Sequence, residues 1–161
     1  MSGRITLTDY QSLAELRHRI RQFLHFSERA ARNAGLEPRQ HQLLLALKGL
    51  PEGTRPRVAE IAGRMQIQHH STVELVNRLA VRGFVRRERG GVDRREVLIC
   101  LTPKAHKVLR ELSAQHKEEL RLAGPTLVAA LKQVMHGRRF PRSRRKSREN
   151  TSRRNEKGKV A

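Results

Sequence analysis

The sequence predicts a mainly α-helical fold with one small β-hairpin. Over most of residues 9–136, apolar side chains recur at the spacings of three and four that mark one face of a helix. Residues 84–101 depart from this pattern, because Phe84 and Val85 precede a Gly-Gly pair that is typical of a hairpin turn, and Val97, Ile99 and Leu101 follow it at every second position. Directly before the hairpin, two short helical segments are separated by only a few residues, as in a helix-turn-helix.

The charge of the chain restricts its partners. The 161 residues, enough for one domain, carry a net charge of +20. An excess of this size indicates a protein that binds a polyanion, and a merely solvated basic surface is the alternative. Aromatic residues make up only 3% of the chain, which argues against a protein that stacks single-stranded bases on exposed rings.

Residues 137–161 are predicted to be a disordered basic tail, since they carry a charge of +9 and almost no apolar residues. Two interpretations are open: the tail adds non-specific phosphate contacts, or it is dispensable. The preceding residues still carry +11, so the prediction of a polyanion partner does not depend on the tail.

No stretch approaches the roughly 18 apolar residues of a membrane-spanning helix, and no signal peptide is apparent. With a single cysteine, we expect a cytoplasmic protein without an internal disulfide.

A long helix is predicted near the start of the chain, over about residues 9–33. Thr8 or Asp9 can cap its start, and Gly35 can cap its end. This length corresponds to roughly 37 Å, more than a small helix-turn-helix head requires. We therefore expect the helix to mediate dimerisation, and an ordinary core helix is the alternative. The predicted dimerisation residues on its apolar stripe are Leu13, Leu16 and Ile20.

The second predicted helix should lie at the centre of the fold. Pro38 suits its first turn, and it stops at Gly49. Its apolar residues point nearly all round the axis, which is typical of a buried helix. They are Leu43, Leu44, Leu45 and Leu47.

A helix-turn-helix follows the loop PEGTRP. Its first helix covers RVAEIAGRM, where the small residues Ala62 and Gly63 would let another helix cross closely. Gln66 and Ile67 form the predicted turn. The inward-facing apolar residues are predicted to be Val58, Ile61, Ala62 and Met65 in the first helix, and Val73, Val76, Leu79 and Ala80 in the second.

The second helix of the pair, over about residues 68–82, begins with polar side chains. At a helix N-terminus such side chains can contact base edges in a major groove, and backbone N–H groups attract phosphate. The alternative is that the hydroxyl groups merely cap the first turn. Within this helix pair we favour contact with DNA. The predicted contact residues are Gln68, His69, His70, Ser71 and Thr72.

The hairpin that follows Gly83 is rich in arginine. Phe84 and Val85 begin its first strand, and RREVLICL forms the return strand. Asp93 lies two residues before Arg95, where a carboxylate can hold a guanidinium in one pose for a narrow minor groove. A solvated charged loop is the alternative. The arginines predicted to contact DNA are Arg86, Arg87, Arg89, Arg94 and Arg95.

A second long helix is predicted to begin at Thr102-Pro103. Gly124-Pro125 should break or kink it before a further amphipathic segment that ends near residue 136. The predicted organisation is a head over about residues 36–102, between dimerisation helices over about 9–33 and 103–136. The dimerisation residues predicted on the last helix are Leu120, Leu127 and Leu131.

Two segments resemble the MarR family of bacterial transcriptional regulators. HHSTVELVNRLAVRGFVRR looks like the family's recognition helix, and DRREVLICLTPKA looks like its wing and the Leu-Thr signature that ends it. The likeness covers roughly residues 5–136 and implies a winged helix-turn-helix head on a homodimer whose terminal helices intertwine. It also implies recognition helices in two major grooves and wings in the flanking minor grooves. Ala105 stands where the family usually has Gly, a harmless change within a helix.

The resemblance assigns roles residue by residue. Arg95 matches the wing arginine that enters the minor groove, and Asp93 matches the aspartate that orients it. Arg78 matches the arginine of the family's helical motif, and Arg87 the basic residue after the glycine between helix and strand. The DNA-facing start of the recognition helix is matched by Ser71 and Thr72.

These patterns predict a sequence-specific regulator that binds double-stranded DNA as a homodimer. Many family members are repressors released by small ligands, so the resemblance implies repression that responds to a small aromatic or other organic effector. A non-specific architectural or RNA-associated basic protein is the alternative. No other cofactor is predicted, and the chain is not expected to be an enzyme because it lacks catalytic motifs.

Cysteine and histidine invite two further hypotheses, which the sequence does not favour. Cys100 lies on a strand between two apolar residues, so we expect a small buried hydrophobe rather than a redox sensor. His18 and His25 lie two helical turns apart, about 10 Å along the axis, which is too far to share a metal ion. No metal site is predicted.

Overall fold

The computed structural model describes residues 4–90 and 95–136, and these form five helices and a two-stranded antiparallel sheet. The predicted fold class, mainly helical with a small wing, is confirmed. In chain order the elements are α1 Leu7–Asn33, α2 Pro38–Lys48, α3 Val58–Met65, α4 His69–Val81, β1 Val85–Arg89, β2 Val97–Leu101 and α5 Pro103–His136.

Helix α1 begins two residues before the predicted start. Its N-cap is Thr6 rather than Thr8 or Asp9, because Asp9 lies three residues further on and completes a capping box. The Thr6 N–H donates to Asp9 Oδ2 at 2.8 Å, and the Asp9 N–H donates to Thr6 Oγ1 at 3.3 Å. Two donors at the start of the helix are thereby satisfied.

The other end of α1 is closed by a Schellman motif. The C-cap residue is Ala34, and the predicted Gly35 is the next residue, with a φ of +74°. The Gly35 N–H donates to Arg32 O and the Leu36 N–H to Ala31 O, both at 2.9 Å. The chain turns sharply here, and Leu36 enters the core.

Helix α2 lies at the centre of the fold, as predicted, but one side of it is exposed. Leu43, Leu44 and Leu47 are buried, whereas Leu45 is 46% exposed. The helix is therefore central without being enclosed on every side, because its neighbours leave the side of Leu45 uncovered.

The helix-turn-helix is formed by α3 and α4. Ile61 and Ala62 are buried, and Val58 and Met65 pack against the core, as predicted. Gln66 forms the turn with a φ of +52°. The predicted close crossing at Gly63 is not present, since a methyl group placed there would meet nothing within 4 Å.

Helix α5 is one continuous helix of 34 residues with Pro125 inside it. Of the predicted break or kink at Gly124-Pro125, the break is therefore wrong, and the kink stays a prediction. Proline has no backbone N–H, so the usual helical bond from residue 125 to the Arg121 carbonyl cannot form. The helix packs lengthwise on α1, and this packing outweighs the unfavourable local propensity.

Candidate nucleic-acid interface

The first turn of α4 presents most of its polar side chains to solvent. Gln68, the N-cap, and His69 and His70 are exposed, and Ser71 is half-buried. The acceptors and donors of these side chains are of the kinds that read base edges in a major groove. The structure therefore leaves these four predicted residues accessible at the start of the helix.

Thr72 does not belong to this exposed group, and its predicted contact with DNA is corrected. Its side chain is 0% exposed, and its Oγ1 donates to Gln68 O at 3.2 Å. The reason is the helical period: Thr72, Val76 and Leu79 follow one another at spacings of four and three, and all three face the core. That spacing was visible in the sequence, but the polarity of threonine concealed it.

Arg78 lies on the outer face of α4, where it pairs with Glu74 one turn earlier at 4.0 Å. Both side chains are well exposed, so the pair contributes little to stability and leaves the guanidinium accessible. This position is compatible with the contact that the family pattern implies.

The wing is a regular hairpin in which Arg86 lies opposite Cys100, and Arg87 opposite Ile99. The Arg87 guanidinium donates to the side-chain oxygen of Asn77 on α4, which ties the wing to the helix. Arg86 pairs with Glu88 on the same strand at 2.6 Å. Arg89 is exposed at the far end of the first strand.

The tip of the wing lies only partly within the described residues. Asp93 and Arg94 are outside them, so the predicted pairing of Asp93 with Arg95 stays a prediction. Arg95 is exposed, and the adjacent Glu96 accepts the Gly90 N–H through its backbone oxygen at 2.9 Å. This bond continues the backbone hydrogen bonding of the hairpin by one residue pair beyond Arg89 and Val97.

A basic cluster beside the start of β2 was not predicted from the sequence. The Ile99 N–H donates to Pro56 O at 2.8 Å, which fastens the loop before α3 to the open edge of β2. Glu96 then accepts an ion pair from Arg55 through Oε2 and one from Arg57 through Oε1, the latter at 3.5 Å. The Glu96 side chain is only 9% exposed. Loop composition alone gave no signal for this long-range cluster.

The end of α4 is held by contacts from three other parts of the chain. Arg82, its C-cap, donates to Gln40 Oε1 at 2.8 Å and to Gly35 O at 2.5 Å, and its guanidinium lies over the Phe84 ring. Lys104 Nζ donates to Arg82 O at 2.9 Å. These bonds fix the orientation of α4 relative to α2 and to the turn after α1.

Between α1, α2 and α5 lies a cluster of rings that the sequence did not suggest. The rings of His41 and His116 are 5.1 Å apart, and Phe23 and Phe26 meet His116 edge-on. His116 is fixed at Nε2 by Ser27 Oγ at 2.7 Å. Burial, and secondarily the neighbouring His116, lowers the pKa of His41 from 6.5 to about 4.

The predicted dimerisation residues lie on α1 and α5, and the described chain does not cover most of them. Leu13, Ile20, Leu120 and Leu131 are exposed, while Leu16 and Leu127 are half-buried. Their role in dimerisation stays a prediction.

Cys100 is half-buried rather than fully buried, which modifies the expectation for it. Its Sγ lies 3.3 Å from Glu88 Oε2, and burial together with this carboxylate raises the pKa of the thiol. A raised pKa disfavours the reactive thiolate.

Within residues 4–90 and 95–136, no three His, Cys, Asp or Glu side chains are grouped so that they could hold a metal ion. No helix of the described chain is long and apolar enough to cross a membrane.

The arrangement of α3, α4 and the hairpin defines a winged helix-turn-helix protein. The model of the MarR family matches residues 34–96, which span the head from the turn after α1 to the return of the wing. No curated protein sequence matches this chain. The resemblance to the MarR family is thus confirmed by the head's sequence pattern together with the fold.

Three solved structures illustrate the likeness in fold. AbsC, a MarR family transcriptional regulator from Streptomyces coelicolor, has a TM-score of 0.67 and 20% identity over 84% of this chain and 95% of its own. Sco3205 from Streptomyces coelicolor, in complex with DNA, has a TM-score of 0.64 and 23% identity over 84% and 88%. CouR from Rhodococcus jostii RHA1, bound to p-coumaroyl-CoA, has a TM-score of 0.57 and 20% identity over 78% and 92%.

Proposed function

We propose that this protein is a transcriptional regulator that binds a specific sequence of double-stranded DNA as a homodimer. The observation that carries the proposal is the exposed polar start of α4 beside a basic wing, a pairing suited to reading base edges while phosphates are neutralised. The match of the head to the MarR family and the DNA complex of Sco3205 support it. Such a regulator acts in the cytoplasm by binding and does not catalyse a reaction.

A selection from random duplexes tests sequence-specific binding. The full chain should enrich a two-fold symmetric sequence and bind it at least about a thousandfold more tightly than random duplex at physiological salt. Binding should also weaken steeply as salt rises, because phosphate contacts release counterions. Equal affinity for the selected duplex, random duplex and RNA would instead support the architectural alternative, for which the charge of +20 alone would suffice.

The proposal of a homodimer is supported by apolar side chains that α1 and α5 leave exposed. They are Leu7, Tyr10, Leu13, Ile20 and Leu24 on α1, and Leu120, Leu122, Val128, Leu131 and Met135 on α5. A monomer seldom leaves so many large apolar side chains together on two neighbouring helices. Two copies that pair through these helices would present two α4 helices to one duplex.

The dimer is tested by a charge placed on this surface. Leu131→Glu should shift the mass measured by light scattering toward the monomer, because a carboxylate would be desolvated at the interface. Val81→Glu is the matched control: Val81 is 89% exposed on α4, and its replacement should leave the mass unchanged. A Leu131→Glu protein that keeps the mass of the unaltered protein would place the interface elsewhere.

We further propose that the regulator is a repressor released by a small aromatic or other organic effector. The rings of Phe23, Phe26 and His116 offer an apolar and aromatic surface near the junction of the helices with the head. CouR, of the same fold, has p-coumaroyl-CoA bound. Titration of the DNA complex with a panel of aromatic carboxylates and their thioesters tests this, and dissociation by none of them would count against it.

A further inference from the structure

We propose that Arg55 and Arg57, held in place by Glu96, bind a backbone phosphate of the DNA strand that passes between α4 and the wing. This inference rests on the proposed DNA binding, which it deepens by assigning a phosphate site that lies outside the recognition helix and the wing arginines.

The site is a cleft of about 540 Å³ at the junction of three elements. The loop before α3 supplies the two arginines, the start of α4 supplies His69, and the return of the wing supplies Arg95 and Glu96. The backbone bond from Ile99 to Pro56 holds the loop against β2. The arginines therefore occupy a fixed position between the helix and the wing.

The charges of the cleft suit a single anion. Glu96 is the buried member of the cluster, whereas the side chains of Arg55 and Arg57 are about half exposed. A guanidinium has five N–H donors, and the ion pair with Glu96 through one nitrogen leaves others directed elsewhere. One carboxylate offsets one of the two arginines, so the cluster keeps a net positive charge toward the opening.

The expected path of the DNA leads through this cleft. When α4 lies in a major groove and the wing reaches the neighbouring minor groove, one sugar-phosphate strand separates the two grooves. That strand must pass between the helix and the hairpin, where the cleft opens. Phosphate contacts of this kind fix register and orientation rather than base choice.

Glu96 acts here as a positioning residue. Without it, each arginine side chain would sample many rotamers, and ordering them on binding would cost free energy. A carboxylate with both oxygens engaged holds the two guanidiniums side by side before the DNA arrives. Its negative charge by itself would weaken DNA binding, so the two effects of Glu96 have opposite signs and are separable by experiment.

The first test removes the two arginines from the full chain. Arg55→Ala/Arg57→Ala should bind the selected duplex about tenfold more weakly and lower the salt slope by about one phosphate contact. Lys107→Ala/Arg110→Ala, which removes the same charge from exposed positions on α5, is the control and should change both quantities much less. Equal losses in the two double variants would overturn the site.

Phosphate ethylation localises the contact. In the complex of the unaltered protein, ethylation of the phosphate between the major-groove and minor-groove contacts should interfere with binding. In the Arg55→Ala/Arg57→Ala complex, this interference should disappear while the others persist. An unchanged interference pattern would contradict the proposal, even though the proposed DNA binding would stand. Failure of the unaltered protein to prefer any duplex would instead refute that function itself.

The second test separates the two effects of Glu96. Glu96→Gln should bind the selected duplex more weakly despite the added positive charge, while its binding to random duplex does not weaken. Glu88→Gln makes the same change of charge on the exposed wing and should bind both duplexes equally well or more tightly. If Glu96→Gln behaves like Glu88→Gln, Glu96 does not position the arginines.

A titration with inorganic phosphate at constant ionic strength tests whether the site binds a free anion. Inorganic phosphate alone should show no saturable binding to the unaltered protein. Saturation at micromolar concentration would instead identify a free anion as the ligand and overturn the assignment to DNA.

Discussion

At the scale of residues, Thr72 separates the two faces of α4. It follows four exposed or half-buried polar residues, yet its side chain is fully enclosed and its hydroxyl is satisfied by the backbone oxygen of Gln68. A buried hydroxyl needs such a partner, because leaving it unpaired would cost free energy. The residue thus serves the packing of the helix and cannot reach a base.

We predict that Thr72→Val leaves affinity for the selected duplex within about twofold, because the replaced hydroxyl lies out of reach of the DNA. The exposed His69 provides the comparison, and His69→Ala should weaken binding or alter sequence preference. Fluorescence anisotropy with labelled duplex measures both. If Thr72→Val has an unchanged melting temperature but binds the duplex tenfold more weakly, Thr72 does contact the DNA and its exclusion from the interface is wrong.

The prediction for the wing concerns the contribution of Arg95 to DNA affinity. Arg95→Ala should weaken binding to the selected duplex by about 1–3 kcal/mol if the side chain enters the minor groove. The variant Arg110→Ala removes the same charge from an exposed position on α5 and should cost much less. Equal affinities of the two variants in a titration at physiological salt would argue against insertion by Arg95.

At the scale of elements, local signals and tertiary packing compete in setting helix ends. The capping box at Thr6 and the Schellman motif at Gly35 close α1 by local hydrogen bonds alone. In α5 a local signal is overridden, because the helix continues through Gly124-Pro125. The missing donor of Pro125 costs one hydrogen bond, whereas stopping there would strip packing from the first half of α1, because α5 runs antiparallel to α1.

Two glycines should respond oppositely to the same substitution. Gly35→Ala should destabilise the fold by about 1 kcal/mol, because Gly35 has a φ of +74° that disfavours a side chain. Gly63→Ala should stabilise it by about 0.5–1 kcal/mol, since Gly63 lies within α3 with open space around it. Urea unfolding followed by circular dichroism measures both. Shifts of the same sign would show that backbone conformation does not govern these sites.

At the scale of the whole molecule, α2 connects the long helices to the DNA-facing head. His41 packs against His116 of α5, and the preceding residue, Gln40, accepts a hydrogen bond from Arg82 at the end of α4. The two contacts lie on adjacent residues of one buried helix. A displacement of α2 between α1 and α5 would therefore reach α4 through a short chain of contacts.

The buried His41 predicts that stability depends on pH. Its pKa of about 4 in the folded protein lies below the unfolded value of 6.5, so the unfolded chain binds more protons between these values. The contribution of His41 is therefore complete above pH 6.5 and is lost as the pH falls toward 4, by up to about 3 kcal/mol.

Urea unfolding between pH 7.5 and 4.5 checks this dependence. His41→Gln should reduce the loss of stability on acidification, because the group that must stay neutral is gone. The exposed His18 supplies the control, and His18→Gln should keep the pH dependence of the unaltered protein. If His41→Gln and the unaltered protein lose equal stability over this range, another group carries the effect.

The sequence by itself determined the fold class, the order of the helices and the position of the wing. These follow from local information: the apolar period distinguishes helix from strand, and Gly, Pro and capping residues mark the ends of elements within a few positions. The polar start of α4 and the arginines of the wing were predictable for the same reason. They are consecutive in the chain and need no distant partner to be recognised.

Only the tertiary structure decided which side chains are accessible and which are brought together. It enclosed Thr72, left Leu45 exposed, and joined Arg55 and Arg57 to Glu96 across some 40 residues of chain. It also paired His41 with His116. Long-range contacts depend on how whole elements pack, and this packing depends on side chains far apart in sequence, so no local pattern could have indicated them. For Thr72 the helical spacing from Val76 and Leu79 was a local sign of burial, but only the packing showed that it outweighs the polarity of the side chain.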